Sequence, residues 1–172
     1  FVANQNRKKE HKQLGEILKE LQIKAPDIHF EIIADSCLAE HLPQQAVTSH
    51  PRLGYKEYRK ILSRCHIALA PLNQSVQNKC KTVIKWQECA EEDVVLVGGP
   101  ELYGRTLNKD VGVWINDINE LLPITRKLID DPVLRANITK KAKNHLRKNG
   151  WVGPYQTLWH RWLLETLWKK RH

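Results

Sequence analysis

Short apolar runs alternate with longer amphipathic runs along the chain up to about residue 116. The apolar runs are rich in valine and isoleucine, as strands are, and the amphipathic runs repeat their apolar residues with helical spacing. Strands that alternate with helices form βαβ units and a parallel sheet. Right-handed crossovers then place helices on both faces of the sheet. The expected fold class is therefore α/β, a Rossmann-like three-layer αβα sandwich with a parallel sheet.

The same patterns predict the individual elements. Strands are predicted at residues 1–4, 28–34, 46–48, 66–72, 94–97 and 111–116. Helices are predicted at residues 7–23, 37–42, 55–63, 82–92, 101–107, 118–130, 132–149 and 154–170. Residues 1–150 are expected to form the Rossmann-like domain, and residues 151–172 an amphipathic carboxy-terminal helix. The run 66–72 is almost continuously apolar, as expected of a strand covered on both faces.

Charge is distributed unevenly along the 172 residues. The formal net charge is +9, yet residues 1–134 hold 18 Lys and Arg against 18 Asp and Glu. Residues 135–172 hold ten Lys and Arg against one acid, Glu165. This asymmetry argues against a general nucleic-acid surface and indicates a basic helical tail.

The four cysteines, Cys37, Cys65, Cys80 and Cys89, form no CxxC pair and have no histidine at zinc-finger spacing. We expect reduced thiols in a cytoplasmic protein, with Cys65 and Cys89 in the core. No run approaches 18 apolar residues, so no membrane span is predicted. Because the chain begins at Phe1 within a strand-like run, we expect it to be a piece of a longer protein.

One loop and helix start, residues 78–88, combines two lysines with a carboxylate. Lys81, Lys85 and Glu88 fall at helical spacing and are predicted to share one face, with Thr82 as a candidate N-cap. Ligands of open α/β sheets bind at the carboxyl ends of strands, where this segment begins. Lysines suit phosphate and a carboxylate suits paired sugar hydroxyls, which predicts half of a nucleotide-sugar site. The alternative is an ordinary surface ion pair between Lys85 and Glu88.

A set of motifs in this order resembles the carboxy-terminal, donor-binding domain of retaining GT-B glycosyltransferases, of the bacterial glycosyl transferases group 1 type. The helix start Lys81 to Glu88 matches the pattern Lys-Ser/Thr-x-x-Lys-x-x-Glu of that family. The other matching pieces are Gly54-Tyr55-x-x-Tyr58, Pro71-Leu72, Pro100-Glu101-Leu102-Tyr103-Gly104, Val111-Gly112-Val113-Trp114 and Asp130-Asp131-Pro132-Val133-Leu134-Arg135. Together they cover about 100 residues, whereas the first 45 residues fit by pattern only.

The resemblance implies transfer of a sugar from a nucleoside diphosphate, UDP or GDP, to an acceptor glycan in bacterial polysaccharide biosynthesis. The donor would lie between this domain and an N-terminal domain, with no cofactor and no metal. Glu88 would bind the ribose hydroxyls, and Lys81 and Lys85 would act as catalytic residues that stabilise the leaving phosphate. Further donor-binding candidates are Arg7, Asn73 and Tyr103. Arg7 is included because helix amino ends favour phosphate.

Several residues near the motif have a competing structural role. Trp86 is predicted to pack in the core rather than to stack on a base, and packing is the alternative for Tyr103. His50, beside a strand end, is predicted to be structural.

Three positions differ from the family: Cys80 stands where many relatives have a glutamate, Asp93 where a glycine ends the helix, and Val95 where a proline follows. These differences motivate the alternative of a non-catalytic interaction module of the same fold.

The tail combines tryptophans with a basic end, Lys169-Lys170-Arg171. In GT-B proteins the last helix packs on the first domain, and this is the expected role of the tail. The alternative is contact with an anionic membrane surface, which aromatic and basic residues favour together. The expected location is therefore cytoplasmic, with peripheral inner-membrane contact as the alternative.

Overall fold

The computed structural model describes residues 8–70 and 81–149, with side chains from residue 12 onward. The described helices are α1 (Lys8–Lys24), α2 (Ser36–Ala39), α3 (Tyr55–Leu62), α4 (Ile84–Glu91), α5 (Leu121–Asp130) and α6 (Pro132–Asn149). The described strands are β1 (Phe30–Ile33), β2 (Val47–His50), β3 (Ile67–Ala70), β4 (Val95–Gly98) and β5 (Val113–Trp114). Short helical turns lie at Gln44–Ala46, Pro100–Gly104, Lys109–Val111 and Ile118–Glu120.

Every described strand pairing is parallel. β1 pairs with β2, and β4 lies between β3 and β5. The register aligns the last residues of the three strands, Ala70, Gly98 and Trp114, so their carboxyl ends form one edge. Parallel strands require crossover connections, which the helices supply. The predicted α/β class with a parallel sheet is confirmed.

Strand β4 is covered on both faces because its side chains alternate between two core clusters. Leu96 packs in the cluster that also holds Trp86 and Tyr103, which we call the α4-side cluster. Val95 and Val97 pack on the opposite face in the α1-side cluster. Successive side chains of a strand point to opposite faces, so an apolar strand of this kind stabilises two helical layers at once.

Helix α1 provides many of the buried side chains of the α1-side cluster. The helical spacing of residues 14, 17, 18 and 21 predicts one buried stripe, and the structure confirms it: Leu14, Leu18 and Leu21 are each at most 2% exposed, and Ile17 packs beside them. Helix α2 follows β1 and has Asp35 as its N-cap, whose carboxylate accepts a hydrogen bond from the Leu38 backbone N–H at 3.1 Å. Such N-caps satisfy a backbone donor that the first helical turn leaves unpaired.

Helix α4 begins later than the sequence indicates. Thr82 is not the N-cap; Val83 is, without a side-chain cap bond. Val83 is 4% exposed, and its carbonyl accepts from the backbone N–H groups of Trp86 and Gln87. Burial of the valine therefore fixes the position at which the helix starts. Lys81 precedes the helix, so the prediction that it shares a helical face with Lys85 and Glu88 is wrong.

The carboxyl end of α4 has a left-handed residue. Asp93 has a φ of 55°, and the Val94 N–H donates to the Cys89 carbonyl at 2.9 Å. This six-to-one hydrogen bond is that of a Schellman motif, which glycine usually completes at the left-handed position. Asp93 therefore occupies the left-handed position at which glycine usually completes this motif.

Two further predictions are corrected. β5 is limited to Val113–Trp114 because Lys109–Val111 forms a helical turn in which the Asn108 side chain accepts from the Asp110 N–H. A second difference is at α3: the spacing predicts that Tyr55 lies on one side of the helix with Ile61 and Leu62, but Tyr55 is 63% exposed whereas the other two are buried. The strand predicted at 1–4 and the helix predicted at 154–170 lie outside the described residues. In the described ranges, no helix combines the length and apolarity needed to cross a membrane.

Candidate functional site

The candidate site lies on helix α4, which follows β3 in the chain. In a βα unit the helix begins near the carboxyl edge of the sheet, the edge at which ligands of open α/β sheets bind. Here that edge is formed by the ends of β3, β4 and β5. Lys85 and Glu88 are three residues apart on α4, and this spacing places their side chains next to each other.

Lys85 and Glu88 form an ion pair with unequal burial. The Lys85 Nζ lies 3.1 Å from Glu88 Oε2, and the lysine side chain is 36% exposed whereas the glutamate side chain is 9% exposed. Burying a carboxylate is unfavourable unless a charge or hydrogen bonds compensate it. Lys85 compensates the charge of Glu88 from the more open side of the pair.

Tyr58 of helix α3 is the second partner of Glu88. Its hydroxyl donates to Glu88 Oε2 at 3.0 Å, and Lys85 Nζ lies 4.1 Å from the centre of its ring. A cation at this distance over an aromatic face is attracted by the ring quadrupole. Burial, and then the charge of Glu88, raise the pKa of Tyr58 above its ordinary range. The phenol therefore stays protonated and remains a hydrogen-bond donor.

The two carboxylate oxygens of Glu88 differ in their surroundings. Both hydrogen bonds from the described part of the chain go to Oε2. Oε1 receives none from those residues. A carboxylate accepts through both oxygens, so the arrangement is suited to a ligand that donates to Oε1.

Helices α3 and α4 are also joined beyond the candidate site. Arg59 donates from Nε to Glu92 at 2.9 Å and from a guanidinium nitrogen to Glu91 at 2.7 Å. A guanidinium holds paired carboxylates in a fixed geometry. These contacts set the position of Tyr58, which precedes Arg59, relative to α4.

Trp86 is a core residue, as predicted. It is 1% exposed, and its indole N–H donates to the Val111 carbonyl at 2.7 Å. Its ring meets that of His145 edge-on, with centroids 5.6 Å apart. Trp86 therefore connects α4 to the segment before β5 by a hydrogen bond and to α6 by a ring contact. Cys89 lies in the same cluster, as predicted, whereas Cys65 is half-buried.

Tyr103 also packs in the α4-side cluster. It is 2% exposed and stacks on Trp114 with ring centroids 5.4 Å apart. The ring covers Gly98, where an added Cβ would approach it to 2.5 Å. Packing, the structural alternative for Tyr103, is what the structure shows, and a donor contact stays a prediction.

The remaining candidates are divided between described and undescribed residues. Lys81 is exposed ahead of α4, while Arg7, Asn73 and Cys80 lie outside the described residues. His50 binds Glu31 of the neighbouring strand, with 2.6 Å between Nε2 and Oε2, consistent with a structural role. Across residues 12–70 and 81–149, no three histidine, cysteine or acidic side chains come together as metal ligands would.

Sequence reasoning missed the contact between Tyr58 and Glu88. The tyrosine belongs to the matching Gly54–Tyr58 motif, but its helical spacing predicts only packing. The two residues are 30 positions apart, and no local pattern reports such a pair. Only the docking of α3 against α4 brings them together.

No protein-family model and no curated protein matches this chain. Among solved structures it is similar to a point mutant of S. aureus TarM in complex with fondaparinux, alpha-GlcNAc-glycerol and UDP. That match has a TM-score of 0.69 at 15% identity and covers 94% of this chain and 34% of the other. A second TarM crystal structure matches with a TM-score of 0.68 at 14% identity, over 95% and 33%.

The chain is also similar to the pneumococcal O-GlcNAc transferase GtfA in complex with UDP and GlcNAc. The TM-score is 0.65 at 14% identity, over 92% of this chain and 33% of that one. The chain thus spans about a third of the length of these three structures. At such identities the likeness shows the fold, which is that of the Rossmann-like domains of GT-B glycosyltransferases.

Proposed function

We propose that this chain is the donor-binding domain of a retaining glycosyltransferase and that it binds a nucleoside diphosphate sugar. The observation that carries the proposal is the buried Glu88 carboxylate, held through Oε2 by Tyr58 and Lys85. The fold supports it, since TarM and GtfA are both described in complex with UDP. UDP is therefore the first ligand to test, and GDP the second.

The proposed site assigns different parts of the nucleotide to different residues. The two ribose hydroxyls donate to Glu88. The ammonium group of Lys85, beside Glu88, attracts the negatively charged diphosphate. Lys81 adds charge from the segment ahead of α4. Arg7, Asn73 and Tyr103 complete the proposed donor contacts. Charge-assisted hydrogen bonds of this kind are about twice as strong as neutral ones.

In the proposed reaction, the bond between the anomeric carbon and the β-phosphate oxygen breaks. The acceptor hydroxyl oxygen bonds to that carbon on the same face, and its proton passes to the departing phosphate. Lys81 and Lys85 stabilise the negative charge that develops on the leaving group. The reaction as proposed needs no metal and no cofactor. The acceptor, a glycan, is held by a preceding N-terminal domain, so the 172-residue chain alone binds donor without turnover.

Calorimetric titration of the chain with UDP and with GDP tests the proposal. Glu88→Gln should weaken UDP binding about tenfold or more, since a hydrogen bond to a charged group contributes about 1.5–3 kcal/mol. Lys85→Ala should weaken it similarly. Lys60→Ala is the matched control, because Lys60 is exposed on α3 and makes no side-chain contact with Glu88.

Two results count against the proposal. Unchanged affinity in the Glu88 and Lys85 variants would show that the site assignment is wrong. Absence of binding by both nucleotides would favour a non-catalytic interaction module of the same fold.

A further inference from the structure

Tyr58 connects the two charged groups of the proposed site. Its hydroxyl reaches Glu88 Oε2 at 3.0 Å, while Lys85 Nζ lies over its ring at 4.1 Å. Tyr58 is thus the residue of α3 that contacts both members of the α4 ion pair. Its own position is secured by the adjacent Arg59, which binds the end of α4.

The two contacts constrain the carboxylate in a particular way. A glutamate side chain has several rotatable bonds, and its burial alone leaves the carboxylate plane free to turn. Two hydrogen bonds to the same oxygen, from different partners, fix that plane. The other oxygen, Oε1, then points in one direction as an acceptor with no hydrogen bond from the described residues.

Tyrosine is suited to this position for two chemical reasons. Its hydroxyl is a donor that stays protonated, since burial and the neighbouring carboxylate raise the pKa of Tyr58. Its ring offers an apolar face with a negative quadrupole, which attracts the Lys85 ammonium. Phenylalanine would keep the ring contact and lose only the hydrogen bond, so the two contributions can be separated experimentally.

We infer that Tyr58 is a positioning residue for ribose recognition: it orients the Glu88 carboxylate so that Oε1 accepts from the ribose hydroxyls of a nucleoside diphosphate. This inference rests on the proposed function. In this role Tyr58 needs no contact of its own with the nucleotide. It acts through Glu88, and its effect is therefore expected on selectivity for the diol rather than on nucleotide binding as a whole.

The test compares two nucleotides, UDP and 2′,3′-dideoxy-UDP, which lacks the hydroxyls that Glu88 would bind. The wild-type chain should bind UDP about tenfold more tightly than the dideoxy nucleotide. Tyr58→Phe should reduce this ratio to about twofold, mainly by weakening UDP binding. Tyr55→Phe is the matched control on the same helix, because the Tyr55 hydroxyl bonds Arg59 and not Glu88; its ratio should equal that of the wild type.

The same titrations distinguish a failure of the proposed function from a failure of the inference about Tyr58. Wild-type protein that binds neither nucleotide, or both equally, would overturn the ribose role of Glu88 and this inference with it. Wild-type discrimination that persists unchanged in Tyr58→Phe would overturn the inference alone. If Tyr58→Phe weakened the binding of UDP and of dideoxy-UDP equally, Tyr58 would have a merely structural role, and this too would overturn the inference.

A second measurement uses the double variant of Tyr58→Phe with Glu88→Gln. If the tyrosine acts through the glutamate, its substitution should change the UDP to dideoxy-UDP ratio by less than about twofold once Glu88 is replaced. Additive effects on the ratio would contradict the inference. Circular dichroism of each variant, compared with that of Tyr55→Phe, verifies that the fold is retained.

Discussion

Glu88 is a buried acid with one carboxylate oxygen that receives no hydrogen bond from the described residues. Its side chain is 9% exposed, yet its two partners occupy only one oxygen. Removing a partner of a buried charge is more costly than the pair is stabilising, because the remaining charge is left unpaired. The local cluster therefore ties the stability of the α3–α4 contact to the same carboxylate that is proposed to bind ribose.

The raised pKa of Tyr58 predicts a contribution to stability that depends on pH. The folded-state pKa lies above the usual value of 10.0, so the contribution is complete below that value and is lost as the pH rises past it. Above about pH 10 the unfolded chain releases the phenol proton more readily than the folded one. Over the range from about pH 9 to about pH 11, wild-type protein should therefore lose stability above about pH 10 more steeply than Tyr58→Phe.

Urea midpoints measured across that pH range provide the test. Tyr55→Phe should follow the wild-type curve, since that ring is exposed. Cys89 contributes in the same direction, because burial raises its pKa from 9.0 to about 12. The thiol is present in all three proteins, so its effect cancels in the comparison. Parallel curves for wild type and Tyr58→Phe would contradict the prediction.

At the scale of elements, the chemistry of helix ends determines which predicted boundaries are right. Helix α6 begins as predicted, since Pro132 fits a first helical position and Asp131 accepts from the Leu134 N–H at 2.8 Å. For helix α4 the sequence predicts too early a start, because Thr82 has the chemistry of a cap. Burial of Val83, a tertiary effect, decides the start, and no local pattern reports it.

The left-handed end of α4 gives a prediction about backbone strain. Replacing Asp93, with its φ of 55°, by alanine should keep the cost of a left-handed L-residue, about 1–2 kcal/mol, because aspartate and alanine both carry a Cβ. Replacing it by glycine removes that strain. Either substitution also removes the hydrogen bond from Lys143, which at an exposed site contributes about 0–1 kcal/mol. Asp93→Gly should thus be close to wild type in stability, or slightly above it.

Urea unfolding compares the free energies of unfolding of Asp93→Ala and Asp93→Gly. Lys143→Ala measures the contribution of the ion pair alone. The alanine variant should be less stable than the glycine variant by about 1 kcal/mol. Equal stabilities would mean that the left-handed conformation carries no cost at this position.

At the scale of the whole molecule, periodicity predicts the layers but not the contacts between them. The parallel sheet and its two helical layers follow from patterns that are local in sequence. The pairing of Tyr58 with Glu88, and of Lys143 with Asp93, joins residues 30 and 50 positions apart. Such contacts depend on how the helices dock, which the spacing of apolar residues leaves open. The sequence therefore predicts that Lys85 and Glu88 lie side by side, whereas it does not predict that Tyr58 contacts both of them.

The shared strand β4 makes the two core clusters one folding unit, and this can be tested from the face opposite the site. Leu121 of α5 is 0% exposed in the α1-side cluster. Leu121→Ala should cost about 2–5 kcal/mol, the usual effect of a buried leucine deletion. Ile23→Ala, at a side chain that is 68% exposed, should change stability by less than about 0.5 kcal/mol.

Because Val95 and Val97 contact one cluster while Leu96 contacts the other, tryptophan fluorescence and far-ultraviolet circular dichroism should report the same urea midpoint in each variant. Two separate transitions in Leu121→Ala would show instead that the α4-side cluster stays folded when the opposite layer has melted.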